Sequence, residues 1–266
     1  MKKLDLQFDL IQIQTSILVC YQQWLQKLNE INGNTRYSKK DLGFGASSAG
    51  LCHLKHYFRL KRFEKKETAD DSMRKMRLGT LVHEDIQQAL LYMFDDKYKV
   101  MCEIPIEYKR VKGHLDIAVE IDKDNVALID IKTMAAYSWS KKYGRKDPDP
   151  NPAPWNKLQL ATYSLGLKNQ YGYKNVHMYL LNYNKNTSAM RFEPISNDYE
   201  KAADLYWDNV ERSTEYLMSI SKPISQLSRE NTPRDVTILS NSPKYTWECN
   251  YCDYSEHCPF KIEKGK

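Results

Sequence analysis

Residues 113–132 read Gly-His-Leu-Asp-Ile-Ala-Val-Glu-Ile-Asp-Lys-Asp-Asn-Val-Ala-Leu-Ile-Asp-Ile-Lys. Two β-prone runs flank the turn-like Asp122-Lys123-Asp124-Asn125, which predicts a hairpin. Side chains alternate along a strand, so Asp130 and Lys132 share a face about 6.6 Å apart along the backbone, and Ile131 faces the opposite, packed side. With Asp116 on the neighbouring strand, two carboxylates and an ammonium converge on one sheet edge. Carboxylates about 5 Å apart repel by roughly 3 kcal/mol at an effective dielectric near 20, a cost that a divalent cation removes. The stretch therefore predicts a metal held by oxygen ligands with a lysine beside it, chemistry suited to phosphodiester hydrolysis. Asp-x-Lys alone is a cheap pattern: Asp95-Asp96-Lys97 and Glu107-Tyr108-Lys109 resemble it. What distinguishes Asp130-Ile131-Lys132 is the apolar strand before it and the partner strand carrying Asp116.

Working outward, strands are expected over residues 99–108, 112–121 and 126–133, and again over 175–183 and 189–195. Helical spacing is expected over about 5–30, ended by Asn32-Gly33-Asn34, and over a segment capped by Ser47-Ser48. Gly79-Thr80 is expected to precede a helix with Val82, Ile86, Ala89, Leu90 and Met93 on its apolar side, and His83 and Gln87 one turn apart on a common flank. Glu64 to Arg77 reads as a charged connector, and Ser140 to Trp155 as a loop containing a basic run and four prolines. A helix over about 155–170 puts Gln159 and Tyr163 on one face, and Asn197-Asp198-Tyr199-Glu200 resembles a capping box opening a long helix. The order predicts an α/β or α+β core, a central mixed sheet flanked by helices.

The chain has six cysteines, of which Cys249, Cys252 and Cys258 form C-x2-C-x5-C. Such spacing in a cytosolic protein points to metal rather than disulfide. Cys52 supplies a fourth thiolate if the two ends of the chain meet, whereas Cys20 and Cys102 are expected to pack in the core. Four thiolates suit zinc or an iron-sulfur cluster, and His53 and His257 are neighbouring ligands that would favour zinc. A zinc peptidase is disfavoured, because Gln87 stands where His83-Glu84-Asp85-Ile86 would need a second histidine.

At 266 residues, 41% hydrophobic and 28% charged, the chain has the composition of a folded domain. Its net charge of +6 is compatible with a nucleic-acid partner without requiring one. Residues 10–26 are uncharged but hold five glutamines and fall short of the ~20 apolar residues of a membrane span. Neither a signal peptide nor a membrane contact is expected, and the cytoplasm (of the host cell, for a viral chain) is the expected location.

In combination these features resemble the RecB-like branch of the PD-(D/E)xK nuclease superfamily, in particular its iron-sulfur exonucleases. Gly79 to His83 matches that family's helix histidine segment, Gly113 to Asp116 its Gly-x-x-Asp, Asp130 to Lys132 its acid-x-Lys, and Gln159 to Tyr163 its Gln-x-x-x-Tyr. One early and three late cysteines bracket the core as in the family. The proline of the superfamily name is replaced by Leu115. The resemblance implies a restriction-endonuclease-like core over residues 46–235, after a helical extension over 1–45 and before a cysteine-rich segment over 236–266. It implies that His83, Asp116, Asp130 and the main-chain carbonyl of Ile131 bind Mg2+ or Mn2+. Lys132 would position or activate water, Gln159 and Tyr163 would orient the lysine or hold DNA, and Cys52, Cys249, Cys252 and Cys258 would carry a 4Fe-4S cluster, with zinc as the alternative. The expected activity is exonuclease cleavage of single-stranded DNA ends. A non-catalytic DNA-binding scaffold, or an endonuclease or RNase using the same site, are the alternatives. Lys55, Arg59, Lys141, Lys142, Tyr143 and Arg145 are the expected DNA contacts. A second copy of the chain or a DNA-processing protein are further expected partners.

Overall fold

Strand β3 (Val111–Glu120) buries six of its ten residues, among them Leu115, Ile117, Ala118 and Val119, and lies inside the sheet, paired with three other strands. We describe the fold from a computed structural model, covering residues 19–28, 30–31, 43–94, 98–144, 146, 148–149, 153–221, 223–226 and 246–262. Two compact units are present: residues 1–42 with 67–81, and residues 43–66 with 82–266. In the first, residues 19–28 and 30–31 are helical, Leu25 is buried, and Arg74 donates to Gln22 at 3.2 Å. The predicted turn at Asn32-Gly33-Asn34 lies outside the described residues.

The second unit is built on a six-stranded mixed sheet. β1 (Phe44–Gly45) runs parallel to the start of β3, and β2 (Lys99–Tyr108) forms a hairpin with β3. β4 (Asn125–Met134) is antiparallel to β3, β5 (Asn175–Asn184) is parallel to β4, and β6 (Met190–Ile195) closes the order antiparallel to β5. The parallel β4–β5 pair needs a crossover, supplied by α4 (Pro154–Tyr171). On that side Leu115, Ala118, Val126, Leu128, Leu160, Leu167, Met178 and Trp207 form the main core. Each such fully buried aliphatic side chain contributes about 1.5–3 kcal/mol. Helix α5 (Asp198–Ser219) is tied to α4 through Trp207 Nε1, which donates to Thr162 Oγ1 at 2.8 Å. On the other face Ile117, Ile129, Ile131 and Leu181 pack with Ile86 and Leu90 of α2 (Asp70–Phe94).

The three-strand block and the helix at 155–170 fall within one or two residues of expectation. Four local readings are corrected. Gly79-Thr80 lies inside α2, which begins in the expected connector; one glycine costs about 1 kcal/mol, too little to stop a 25-residue helix whose Thr80 hydroxyl is satisfied by the Met76 carbonyl. The loop expected from Ser140 begins later, because Ala136–Tyr143 forms a helix, α3. Its last turn is held by Lys142 paired with Glu193 and by Asn182 donating to Tyr143 Oη at 2.8 Å. Asn197 makes no side-chain cap; Glu200 instead accepts from Ser164 and Lys168, each at 2.6 Å, and joins α5 to α4. Cys20 is exposed rather than packed in a core.

Candidate active site

The β3–β4 ladder is regular from Glu120↔Val126 to Ile117↔Ile129 and then stops. The next pair in that register is Asp116 and Asp130, so the two carboxylates stand where the strands part. Separation frees the backbone N–H of Ile131, and Asp116 Oδ2 accepts it at 2.7 Å. Unpaired buried donors are costly, so this bond holds the split open in one geometry.

Asp116 also breaks the alternation of faces. Leu115 and Ala118 both join the α4-side core although three residues apart, while Ile117 joins the opposite cluster. Across the hairpin Glu103, the residue in register with Asp116, has φ +52° and is left out of the ladder. Paired irregularities of this kind re-aim side chains. Asp116 thereby reaches His83 on α2, whose Nδ1 lies 3.5 Å from Asp116 Oδ2. His83, Glu103 and Asp116 offer ligand atoms within 4.8 Å of one another. Gln87, one turn after His83, donates to Glu103 Oε1 and to the Asp116 carbonyl, both at 3.0 Å, fixing the two acidic strands together.

Asp130 is only 1% exposed and faces the α4 side with Lys132, whose Nζ lies 2.8 Å from Asp130 Oδ2. Lys132 donates to Gln159 Oε1 at 3.0 Å, and Gln159 Nε2 donates to Tyr163 Oη at 3.1 Å. The expected helix pair on α4 is thus a relay ending on the lysine. Gly113 lies beneath it, against the Tyr163 ring.

The electrostatics suit a cation. Burial pushes the Asp130 carboxyl up to about 6, with Lys132 opposing the rise and Asp116 adding to it. Burial alone would lower the Lys132 pKa, but Asp130 and Asp116 outweigh it and hold the side chain as an ammonium. At His83 burial again favours the neutral ring, yet the hydrogen bond and charge of Asp116 raise its pKa above the ordinary value. Among the described residues neither Asp130 oxygen accepts a hydrogen bond of good geometry. A buried carboxylate left in that state, beside a second acid and a histidine, fits a divalent ion.

The structure brings together His83, Asp116, Asp130, Ile131, Lys132, Gln159 and Tyr163. It adds Glu103 and Gln87. Gln87 was legible from its spacing to His83, whereas no local signal marks Glu103, because its approach depends on hairpin register and one left-handed residue.

Cys52, Cys249, Cys252 and Cys258 line a single cavity of about 150 Å³. The backbone N–H groups of Tyr254 and Ile262 donate to Cys252 Sγ and Cys249 Sγ, each at 3.4 Å. Cys102 is half-buried and packs beside the α2-side cluster.

The basic candidates separate. Lys141 is exposed, whereas the Lys142 side chain is 8% exposed and engages Glu193, which also takes Lys157 at 3.1 Å. Tyr143 bonds Asn182 and lies 4.9 Å beneath the Arg191 guanidinium. Lys55 approaches Asp253 at 4.0 Å, and Arg59 lies against Gly45. Arg145 lies outside the described residues.

Comparison with known proteins identifies the family. Residues 90–259 match the family described as the PD-(D/E)XK nuclease superfamily. A CRISPR-associated exonuclease Cas4 from Saccharolobus solfataricus is 24% identical over 189 residues, 70% of this chain and 72% of its own length. The crystal structure of SSO0001 superposes with a TM-score of 0.54 at 16% identity, covering 91% of this chain and 96% of that one. An alkaline exonuclease from Laribacter hongkongensis covers 67% of this chain and 92% of its own, with a TM-score of 0.41 and 16% identity. A family match over residues 90–259, more than half of the sequence and including the strands that carry the split acidic pair and the lysine, shows that this chain belongs to the PD-(D/E)XK nuclease superfamily.

Proposed function

We propose that this chain is a divalent-metal-dependent DNA exonuclease that degrades single-stranded ends and carries a structural 4Fe-4S cluster. The observation that carries the reading is the parting of β3 and β4 at Asp116 and Asp130, with His83 and Glu103 on one side and Lys132 on the other. His83, Glu103, Asp116, Asp130 and the Ile131 carbonyl are the groups that would hold Mg2+ or Mn2+. Such an ion polarises a phosphodiester oxygen and acidifies water. Lys132, fixed by Gln159, would position the attacking water and balance charge on the scissile phosphate. A scaffold that only held DNA would have no use for this complete set. The exonuclease name of the Saccharolobus relative supports attack at ends.

For the cysteine site, four thiols around one cavity and amide donors aimed at two sulfurs support a thiolate-bound group. With zinc as the alternative, four thiolates suit a 4Fe-4S cluster. Its role would be to clamp the segment bearing residues 249–258 against α1 (His53–Leu60). None of the described helices is long and apolar enough to cross a membrane.

The deciding experiment compares linear and circular single-stranded DNA with Mn2+ for wild type and Asp130→Asn. Release of nucleotides from the linear substrate only, abolished by the substitution, is expected; equal cleavage by both proteins would overturn the assignment. Protein purified without oxygen should be brown and hold about four iron atoms per chain, as a 4Fe-4S cluster requires. A colourless protein with stoichiometric zinc would reverse the cluster reading.

A further inference from the structure

Beyond the metal ligands, β4 ends in a groove of about 1030 Å³ that begins at Lys132. Beside the end of β4 and the connecting residues Pro148 and Asp149, its lining comes from α3, from the start of α4, and from α6 (Thr246–Asn250) with the residue after it. Tyr137 and Lys141 stand on α3, Trp155 on α4, and Trp247 and Tyr251 on the last segment. Three stretches separated by many residues in sequence therefore deliver aromatic rings to one groove. Tyr137 is 74% exposed and Tyr251 78%, and Trp247 is 37% exposed. Trp155 and Trp247 lie with ring centroids 4.9 Å apart at 49°. Scattered exposed aromatics need no explanation, but these cluster beside Lys132, the half-buried partner of the Asp130 carboxylate.

We propose that this groove seats an unpaired nucleic-acid strand, with Tyr251, Trp247 and Trp155 as faces for base stacking and Tyr137 and Lys141 bounding it on the α3 side. The inference rests on the nuclease reading and adds the substrate-binding residues to it. Aromatic faces favour single strands, because bases within a duplex already stack on their neighbours and present only edges. The charged lining is Lys132, Lys141 and Asp149, so affinity comes from rings more than from a dense basic patch. Stacking also tolerates any base, which suits an enzyme that must pass every sequence.

The chain's end has a second part in this. Trp247 and Tyr251 line the cysteine cavity as well as the groove. Cys249 is buried while Tyr251, two residues on, projects into solvent. The contacts that fix the thiols therefore also fix the position of the stacking wall, and Tyr251 is a substrate-binding residue rather than a catalytic one.

The test is the affinity of the full-length, cofactor-loaded protein for labelled oligothymidylate and for a blunt DNA hairpin, measured by fluorescence anisotropy in EDTA so that cleavage is suppressed. Tyr251→Leu should weaken oligothymidylate binding about tenfold and leave the hairpin unchanged, while Tyr251→Phe, which keeps the ring, stays within about twofold of wild type. Unchanged affinity in Tyr251→Leu, equal loss in the Leu and Phe variants, equal loss for the hairpin, or no binding by wild type would each overturn the proposal. Failure of the nuclease reading is seen separately, as cleavage that survives Asp130→Asn; ring-dependent binding in EDTA does not depend on that result.

Discussion

Tyr163 rests directly on Gly113: a Cβ at position 113 would lie 2.7 Å from a carbon of the Tyr163 ring and 2.9 Å from Ala46 Cβ. The tyrosine hydroxyl accepts from Gln159, and Gln159 accepts from Lys132. A glycine with no reactive group thus sets the position of the lysine through two side chains. This gives a steric reason for a glycine three residues before Asp116.

Gly113→Ala should destabilise the protein by about 1–3 kcal/mol, the usual cost of overpacking, and slow cleavage as well. Adding Tyr163→Leu should restore much of the stability without restoring the rate. Thermal melts read alongside single-turnover cleavage check both; a fully active Gly113→Ala protein would dismiss the relay.

Lys132→Ala should lower kcat by roughly 10²–10³-fold, in the range of losing one charge-stabilising donor. Gln159→Leu leaves the lysine in place but unguided, and should lower kcat about tenfold with little change in KM. Residues acting as a unit are not additive, so the double variant should match Lys132→Ala alone. Multiplicative losses in the kinetics would show independent roles.

Glu103→Gln keeps the size of the side chain and removes its charge. If Glu103 holds the ion with His83 and Asp116, the Mn2+ concentration giving half-maximal cleavage should rise about tenfold. A Mn2+ titration with an unchanged midpoint would remove it from the ligand set.

His56 is fully buried between Phe44 and Trp207, and burial lowers its pKa to about 3, with the charges of His53, Arg59 and Lys55 adding to the effect. The unfolded chain takes up a proton near pH 6.5 that the folded chain refuses. Stability is therefore complete above about 6.5 and is lost as pH falls toward 3, by about 2 kcal/mol between pH 6.5 and 5 for this one group. Urea unfolding at pH 7 and pH 5 measures the loss, and His56→Gln should reduce it.

The strand block and α4 were legible because their signals are local and agree: alternation or continuous apolar runs in the strands, turn residues at 122–125, and a proline at the first position of α4. Helix boundaries were less so. Gly79 suggests a boundary because glycine disfavours helices, but the rest of a 25-residue helix overrides one such residue. The end of α3 was hidden for the opposite reason, since the groups that hold Lys142 and Tyr143 stand on β5 and β6.

The same division runs through the site. Asp116, Asp130, Lys132, Gln159 and Tyr163 could be named from sequence because their order matches the motifs of the family the chain resembles, with Asp130 and Lys132 sharing a strand face and Gln159 and Tyr163 a helix face. Which of them touch was decided by the register of β3 on β4, the left-handed turn at Glu103 and the absence of a Cβ at Gly113. Sequence alone determined the order of elements and the kinds of group available for chemistry. Tertiary structure chose Glu103 as a further acid, turned Lys142 inward and gathered Tyr137, Trp155, Trp247 and Tyr251 around one groove. These outcomes depend on packing between segments far apart in the chain, and no local pattern encodes such distances.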